Sequence, residues 1–245
     1  MKRTTLIPVI ALLFAASSLY ALTGREIMER TEKLAKPQTT RAQSVMKIYR
    51  NGELRETKEF EMTGKKYGDD SRALIEFLRP TRIKFLMHSY KSREDNQWLK
   101  TTGGKPKRIA GGDRGNSFVH SHLSYEDLQS REIDDYDYRY LGDETSLGEE
   151  CYKVEAIKKS SDRVYEKVIL FVRKSDHFIL AIQFFQKGKL LKYLHNYDIR
   201  NVDGILTPFK AVMFLPGNRG KTELLMKSVR YNIPVADSAF SKATL

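Results

Sequence analysis

The chain has 245 residues, with 43 Lys and Arg against 31 Asp and Glu, for a formal charge of +12. Hydrophobic residues at 40% and aromatics at 11% supply a real core and exclude wholesale disorder. The single cysteine, Cys151, excludes an intrachain disulfide and thiolate-based zinc or iron–sulfur sites, so stability has to come from packing.

The first segment reads as a removable export signal. Lys2 and Arg3 precede an apolar run from Leu6 to Ala16, followed by Ser17, Ser18 and a cleavage point after Ala21. The run is shorter than the roughly 18 to 20 apolar residues of a membrane span, and no later stretch approaches that length. Residues 1–21 are therefore assigned to the leader and 22–245 to one mature domain. With no cysteine just behind the leader to carry a lipid, the expected address is the periplasm, free or peripheral at the outer membrane. The positive charge favours anionic partners; for an exported chain these are phospholipid head groups, and no nucleic-acid partner is expected.

Thr23-Gly24-Arg25-Glu26 matches a capping box, and Ile27, Thr31 and Leu34 fall on one face, predicting a helix over about 24–35 that ends before Pro37. It serves either as a helix packed on the sheet or as a movable lid. From Ala42 the pattern turns to period two, with runs rich in Val, Ile, Tyr and Phe. The predicted strands are 42–50, 54–63, 71–78, 84–91, 95–101, 136–141, 151–158, 164–174, 178–186, 189–199, 206–214 and 221–231. Asn51-Gly52, Lys187-Gly188, Asp203-Gly204 and Pro216-Gly217-Asn218 supply hairpin turns, so consecutive strands should pair as an antiparallel meander. Residues 102–135 break the pattern with Gly103-Gly104, Gly111-Gly112 and Gly115, and read as a long excursion across one mouth of the sheet. Late strands such as Val168–Val172 and Phe178–Ile182 are apolar on both faces, so one face needs a cover and the other a packed core or an apolar ligand.

Chemistry-bearing motifs are sparse. His120-Ser121-His122 could present two imidazoles to a metal, but no third ligand can be named beside them. A Ser–His–acid set drawn from Ser117 or Ser121, His120 and Asp113 or Asp127 lacks the Gly-x-Ser-x-Gly elbow. No metal and no cofactor are expected.

The residues Glu76-Phe77-Leu78-Arg79-Pro80, Asp95-Asn96-Gln97-Trp98-Leu99, Lys107-Arg108-Ile109-Ala110, Gly115-Asn116-Ser117-Phe118 and Ser124-Tyr125-Glu126-Asp127-Leu128 occur in an order that resembles the outer-membrane lipoprotein-sorting family. These are the LolA-like proteins, here of the branch associated with resistance-nodulation-division exporters. The resemblance spans about residues 30 to 245. It implies a mainly β fold, an unclosed antiparallel β-barrel or half-barrel with a few covering helices, and an apolar cavity for acyl chains. It further implies a carrier that takes an acylated lipoprotein or phospholipid from an inner-membrane transporter toward an outer-membrane acceptor. Where relatives commonly show Gly and Asp, this chain has His120 and His122. That difference keeps open a phospholipid-cleaving enzyme using His120, Ser121 and His122, and the basic charge keeps open a surface-binding module.

Counting alternate residues along the strands assigns the lipid-binding wall to Phe77, Trp98, Phe171, Leu180, Ile182, Phe184, Met213 and Leu224. Arg79, Arg108 and Arg114 are assigned to head-group phosphate or to latching the lid.

Overall fold

The computed structural model describes residues 22–245; the leader read in residues 1–21 lies outside the described residues. A helix, α1 (Gly24–Glu32), comes first, and its capping box forms as expected. The Glu26 amide donates to Thr23 Oγ1 at 3.1 Å and the Thr23 amide donates back to Glu26 Oε2 at 2.7 Å. The helix ends earlier than the sequence suggests, at Glu32, with Lys33 as its cap.

Six strands follow: β1 (Thr39–Arg50), β2 (Glu53–Tyr67), β3 (Asp70–Arg79), β4 (Ile83–Ser89), β5 (Asn96–Thr101) and the two-residue β6 (Lys107–Arg108). After the excursion come β7 (Tyr136–Ser146), β8 (Glu149–Lys158), β9 (Lys167–Arg173), β10 (Ile179–Gln186), β11 (Lys189–Val202), β12 (Ile205–Leu215) and β13 (Gly220–Tyr231). All pair antiparallel in one sheet of order β6-β5-β4-β3-β2-β1-β13-β12-β11-β10-β9-β8-β7. Two meanders are thus sewn together by β1 against β13, with Met46 opposite Leu224. The remaining ends, β6 and β7, do not pair, and the barrel stays open. Every predicted strand is present, and the additional one is β6.

The excursion is not a loop over the mouth alone. It runs into the concavity as short 3₁₀ turns, at Gly111–Asp113, Glu126–Leu128 and Ile133–Asp135. Phe118 inserts between strands, its ring centroid 4.9 Å from Phe85 and 5.8 Å from Phe77, and Tyr125 joins it at 5.7 Å. Together with Ile27, Met46, Phe184 and Met213 these form the main core. Of the helical covers implied by the resemblance, α1 is the only α-helix among the described residues; the crossing segment does the rest.

The outer face is treated unevenly. Over β3, β4 and β5 the C-terminal tail lays down Val235, Phe240 and Leu245 against Leu74, Leu86 and Trp98. The tail is pinned by Lys65 Nζ donating to Asp237 at 2.6 Å and Lys84 Nζ donating to the Thr244 carbonyl at 2.8 Å. Over β8 to β10, Cys151, Phe171 and Leu180 form a separate outer cluster.

Gly24 lets α1 lie against β7. A Cβ there would stand 2.8 Å from the Arg139 carbonyl carbon and the Tyr140 nitrogen, closer than backbone atoms tolerate. Gly24→Ala is therefore expected to lift the helix and cost about 1–3 kcal/mol, read as a lower urea midpoint with little change in slope.

Candidate functional site

Between the inner faces of β1, β2, β3, β12 and β13 and the crossing segment lies a cavity of about 230 Å³. Its walls are Met46, Phe60, Ile75, Phe77 and Leu224, and Phe118, Leu123 and Leu128 of the crossing segment close it from the other side. Ser44 is the one lining residue with a polar side chain. A smaller apolar space of about 110 Å³ lies under α1, between Met28, Tyr138, Leu170 and Ile179. A larger cleft, about 420 Å³, is of another kind. It is lined by charges of both signs, including Lys91, Glu94, Arg114, Glu132 and Asp162, and offers hydrocarbon no favourable surface.

The crossing segment is held by polar pins along its length. Buried Lys192 on β11 donates to Asp127 and to the His122 carbonyl, the latter at 3.2 Å. Asp127 also accepts from Tyr165 Oη at 2.7 Å and from the Ser124 amide at 2.7 Å, while Ser124 Oγ lies 2.8 Å from the same phenol. On β13 the hydroxyl of Thr222 accepts from the His122 amide at 3.0 Å and lies 2.8 Å from its Nδ1. Gln97 of β5 donates to the Tyr125 carbonyl at 3.1 Å, and Arg50 of β1 donates to the His120 carbonyl at 3.2 Å. Burial lowers the basicity of Lys192, against the pull of Asp127. Burial and the Asp127 carboxylate push the Tyr165 phenol far up.

Val119 and His120 both adopt left-handed φ, 45° and 65°. A β-branched residue rarely accepts this, so the turn is held by its surroundings. His122 is pressed so tightly on β13 that a Cβ at Gly220 would lie 2.6 Å from its Nε2.

Among the residues assigned from sequence, Phe77 and Leu224 line the cavity, and Ile182, Phe184 and Met213 face the same concave core. Trp98, Phe171 and Leu180 do not: Trp98 sits under the C-terminal tail, and Phe171 and Leu180 belong to the outer cluster. For Leu180 the reason is a break in register between Ile179 and Ala181, which puts Ile179 and Ile182 inward and Leu180 outward. For Trp98 and Phe171 the simple alternation holds and the inward neighbours are Leu99, Leu170 and Val172.

Arg114 is buried and ties the β4–β5 turn to the β8–β9 turn, with Glu94 at 3.1 Å and Asp162 at 3.2 Å. Arg108 donates to Asn96 Oδ1 at 2.7 Å, and Arg79 is exposed at the end of β3. The Ser121 hydroxyl donates to the Phe118 carbonyl at 2.7 Å, so neither it nor His122 is bonded to the other. Among the described residues no group of three or more His, Cys, Asp or Glu is placed to hold a metal ion, and no helix is long and apolar enough to cross a membrane. Asp127, one of the acids offered for the Ser–His–acid set, is instead the partner of Lys192, and the residues that sequence reasoning missed are Lys192 and Thr222. Each looks like an ordinary polar strand or turn residue, and nothing in its neighbourhood signals burial.

A family model described as "Uncharacterized protein" matches residues 69–245, and the chain belongs to that family. A DUF1329 family protein from Desulfovibrio piger is 28% identical, with a TM-score of 0.85 over 91% of this chain and 97% of its own. A domain assigned to outer-membrane lipoprotein sorting from Vibrio parahaemolyticus is 26% identical, with a TM-score of 0.83 over 90% of this chain and 97% of its own. A LolA superfamily protein from Nitrosomonas europaea shares the fold at 18% identity, with a TM-score of 0.72 over 92% of this chain and all of its own. No curated protein matches the chain. The fold is therefore mainly β, unclosed and LolA-like, in agreement with the resemblance read from sequence.

Two outcomes follow from the pins. Lys192→Met leaves Asp127 without its counter-charge and should cost about 3–5 kcal/mol by chemical denaturation, whereas Lys192→Met with Asp127→Leu should cost clearly less. Burial, reinforced by Arg50 and then by Lys192, holds the His122 imidazole below its ordinary 6.5. The unfolded chain then takes up the proton first. Stability is therefore full above about pH 7 and declines as pH falls through 6.5 toward the folded value. His88 and His195, also lowered by burial, act in the same sense. Melting temperature should drop between about pH 7 and 5.5, and His122→Asn should flatten that slope.

Proposed function

We propose that this chain, as a member of a family that shares the lipoprotein-sorting fold, is a carrier that shelters an acyl chain of a lipid or lipoprotein in its concave apolar cavity. The observation that carries the reading is the cavity between β1–β3, β12, β13 and the crossing segment, about 230 Å³ in volume and walled by hydrocarbon and aromatic side chains. Removing a methylene from water is worth about 0.8 kcal/mol, so even a partly buried chain supplies several kcal/mol for capture.

Size limits the cargo. An apolar cavity of roughly 150 Å³ accommodates benzene, so the present space takes part of a single chain. A cargo with several acyl chains requires the crossing segment to withdraw Phe118, Leu123 and Leu128. In this reading the carrier works in the periplasm, with the leader of residues 1–21 directing export, an inner-membrane transporter as donor and an outer-membrane acceptor. What supports a carrier over a hydrolase is the use of Ser121 and His122 as backbone and hydroxyl partners that hold the crossing segment.

Native mass spectrometry of protein purified from a bacterial host should reveal co-purifying lipid. Ala211→Trp, which fills the cavity, should reduce lipid content and the binding of a fluorescent fatty acid by tenfold or more, about 1.4 kcal/mol. Leu180→Phe, on the outer face, should leave both unchanged. Lipid-free protein that also rejects the probe would refute the carrier reading.

A further inference from the structure

An antiparallel meander sends alternate turns to opposite ends of the sheet, and the two ends of this one differ in character. Register places the β1–β2, β10–β11 and β12–β13 turns at the same end. Arg50 pairs with Gly220, Phe185 with Leu190 and Tyr193 with Phe214, and the Asn51 amide donates to the Arg219 carbonyl at 3.1 Å. The β3–β4 turn follows at that end, next to β2, with Arg79 opposite Glu59.

These turns carry Arg50, Arg79, Arg82, Lys187, Lys189 and Arg219. Among the described residues none of the six has a carboxylate within ion-pair distance, although Glu166 accepts from the Gly188 amide at 2.7 Å between Lys187 and Lys189; near these turns Arg55 pairs with Glu53, Lys58 with Glu56, Lys84 with Glu76 and Lys221 with Glu223. The turns at the opposite end carry Asp69, Asp95, Asp176 and Asp203 beside Lys91, Arg93 and Lys174, and there Lys91 pairs with Asp69 at 3.0 Å and Lys174 with Asp143 at 2.7 Å.

Apolar side chains stand out among these bases. Leu54 is 51% exposed, Leu78 47% and Leu191 37%, three of the five large hydrophobic residues most open to solvent among those described. Each lies within a few residues of a turn and of an unpaired base: Leu54 four residues from Arg50, Leu78 next to Arg79 and Leu191 two residues from Lys189. Exposed leucines just inside the strand ends, on a rim where Arg50, Arg79, Arg82, Lys187, Lys189 and Arg219 have no ion-paired carboxylate, match a bilayer interface, with phosphates at one depth and acyl carbon just below. Nucleic acid has no use for the leucines, and a purely polar acidic surface would leave them in water.

We infer that this end of the sheet is a docking surface for a bilayer containing anionic phospholipid, with Lys187, Lys189 and Arg219 meeting phosphates and Leu54 and Leu191 entering the interface. The inference stands independently of whether the cavity holds an acyl chain. It also places the bilayer beside the strained Val119-His120 turn, because Arg50 at the rim holds the His120 carbonyl.

The test is co-sedimentation of the full-length mature protein with vesicles of phosphatidylethanolamine and phosphatidylglycerol, against vesicles of phosphatidylcholine alone. Binding should be confined to the anionic vesicles and should weaken as salt is raised. Lys187→Glu/Lys189→Glu/Arg219→Glu should weaken it by about tenfold or more, and Leu54→Ser/Leu191→Ser by several-fold at unchanged net charge. Lys33→Glu/Arg41→Glu/Lys227→Glu makes the same change in net charge away from this rim and should bind nearly as the parent does. Equal losses in the two charge-reversed variants, no effect of the leucine changes, or no binding to anionic vesicles would overturn the assignment. Matching melting temperatures verify that the variants are folded. Lipid content by native mass spectrometry, read on the same variants, separates failure of docking from failure of the carrier reading.

Discussion

The structure depends on keeping water off the inner face of a sheet that does not close. A long, strongly curved antiparallel sheet with apolar residues on its concave side has either to close on itself or to find a cover. Here β6 and β7 stay apart, and the stretch between them turns inward as that cover. Phe118, Leu123, Tyr125 and Leu128 supply the apolar surface. The cost is a run of irregular backbone in an apolar interior, where unpaired amides and carbonyls are expensive. Side chains of Lys192, Thr222, Gln97 and Arg50 meet that cost from four different strands.

This arrangement gives the interior two possible occupants. The crossing segment fills most of the concavity, and the space it leaves is apolar and too small for several chains. On the carrier reading, a cargo must therefore compete with the chain's own leucine and phenylalanine side chains for the same wall. The polar pins oppose that exchange, because withdrawal of the segment strands Lys192 and Asp127 unless water follows. In the proposed carrier, capture and release are thereby tied to one local equilibrium rather than to the sheet as a whole.

The alternation of residues along β1 to β5 and β7 to β13 made the strands legible, and the turn dipeptides made their pairing legible. Face assignment was legible only where alternation ran unbroken: Phe77, Met213 and Leu224 face inward as counted. At Leu180 a single extra residue reverses the count, and nothing in the run Phe178-Ile179-Leu180-Ala181-Ile182 marks it. Trp98 and Phe171 are as apolar as their inward neighbours, because both faces of those strands are covered. His120-Ser121-His122 looked like chemistry because imidazoles are scarce in this chain. Its backbone and hydroxyl groups instead serve as attachment points, a role that residue type does not disclose.

The sequence by itself determined the secondary structure, the meander order, the site of the break and the family, since these follow from local periodicity, turn chemistry and a recognisable order of short motifs. Only the tertiary structure decided that the break turns inward, which lysine is buried, and which side of each doubly apolar strand lines the remaining space. Those outcomes rest on contacts between residues far apart in the chain, such as Lys192 with Asp127 and His122 with Thr222. Their geometry is set by sheet curvature and strand register rather than by any local pattern of residues.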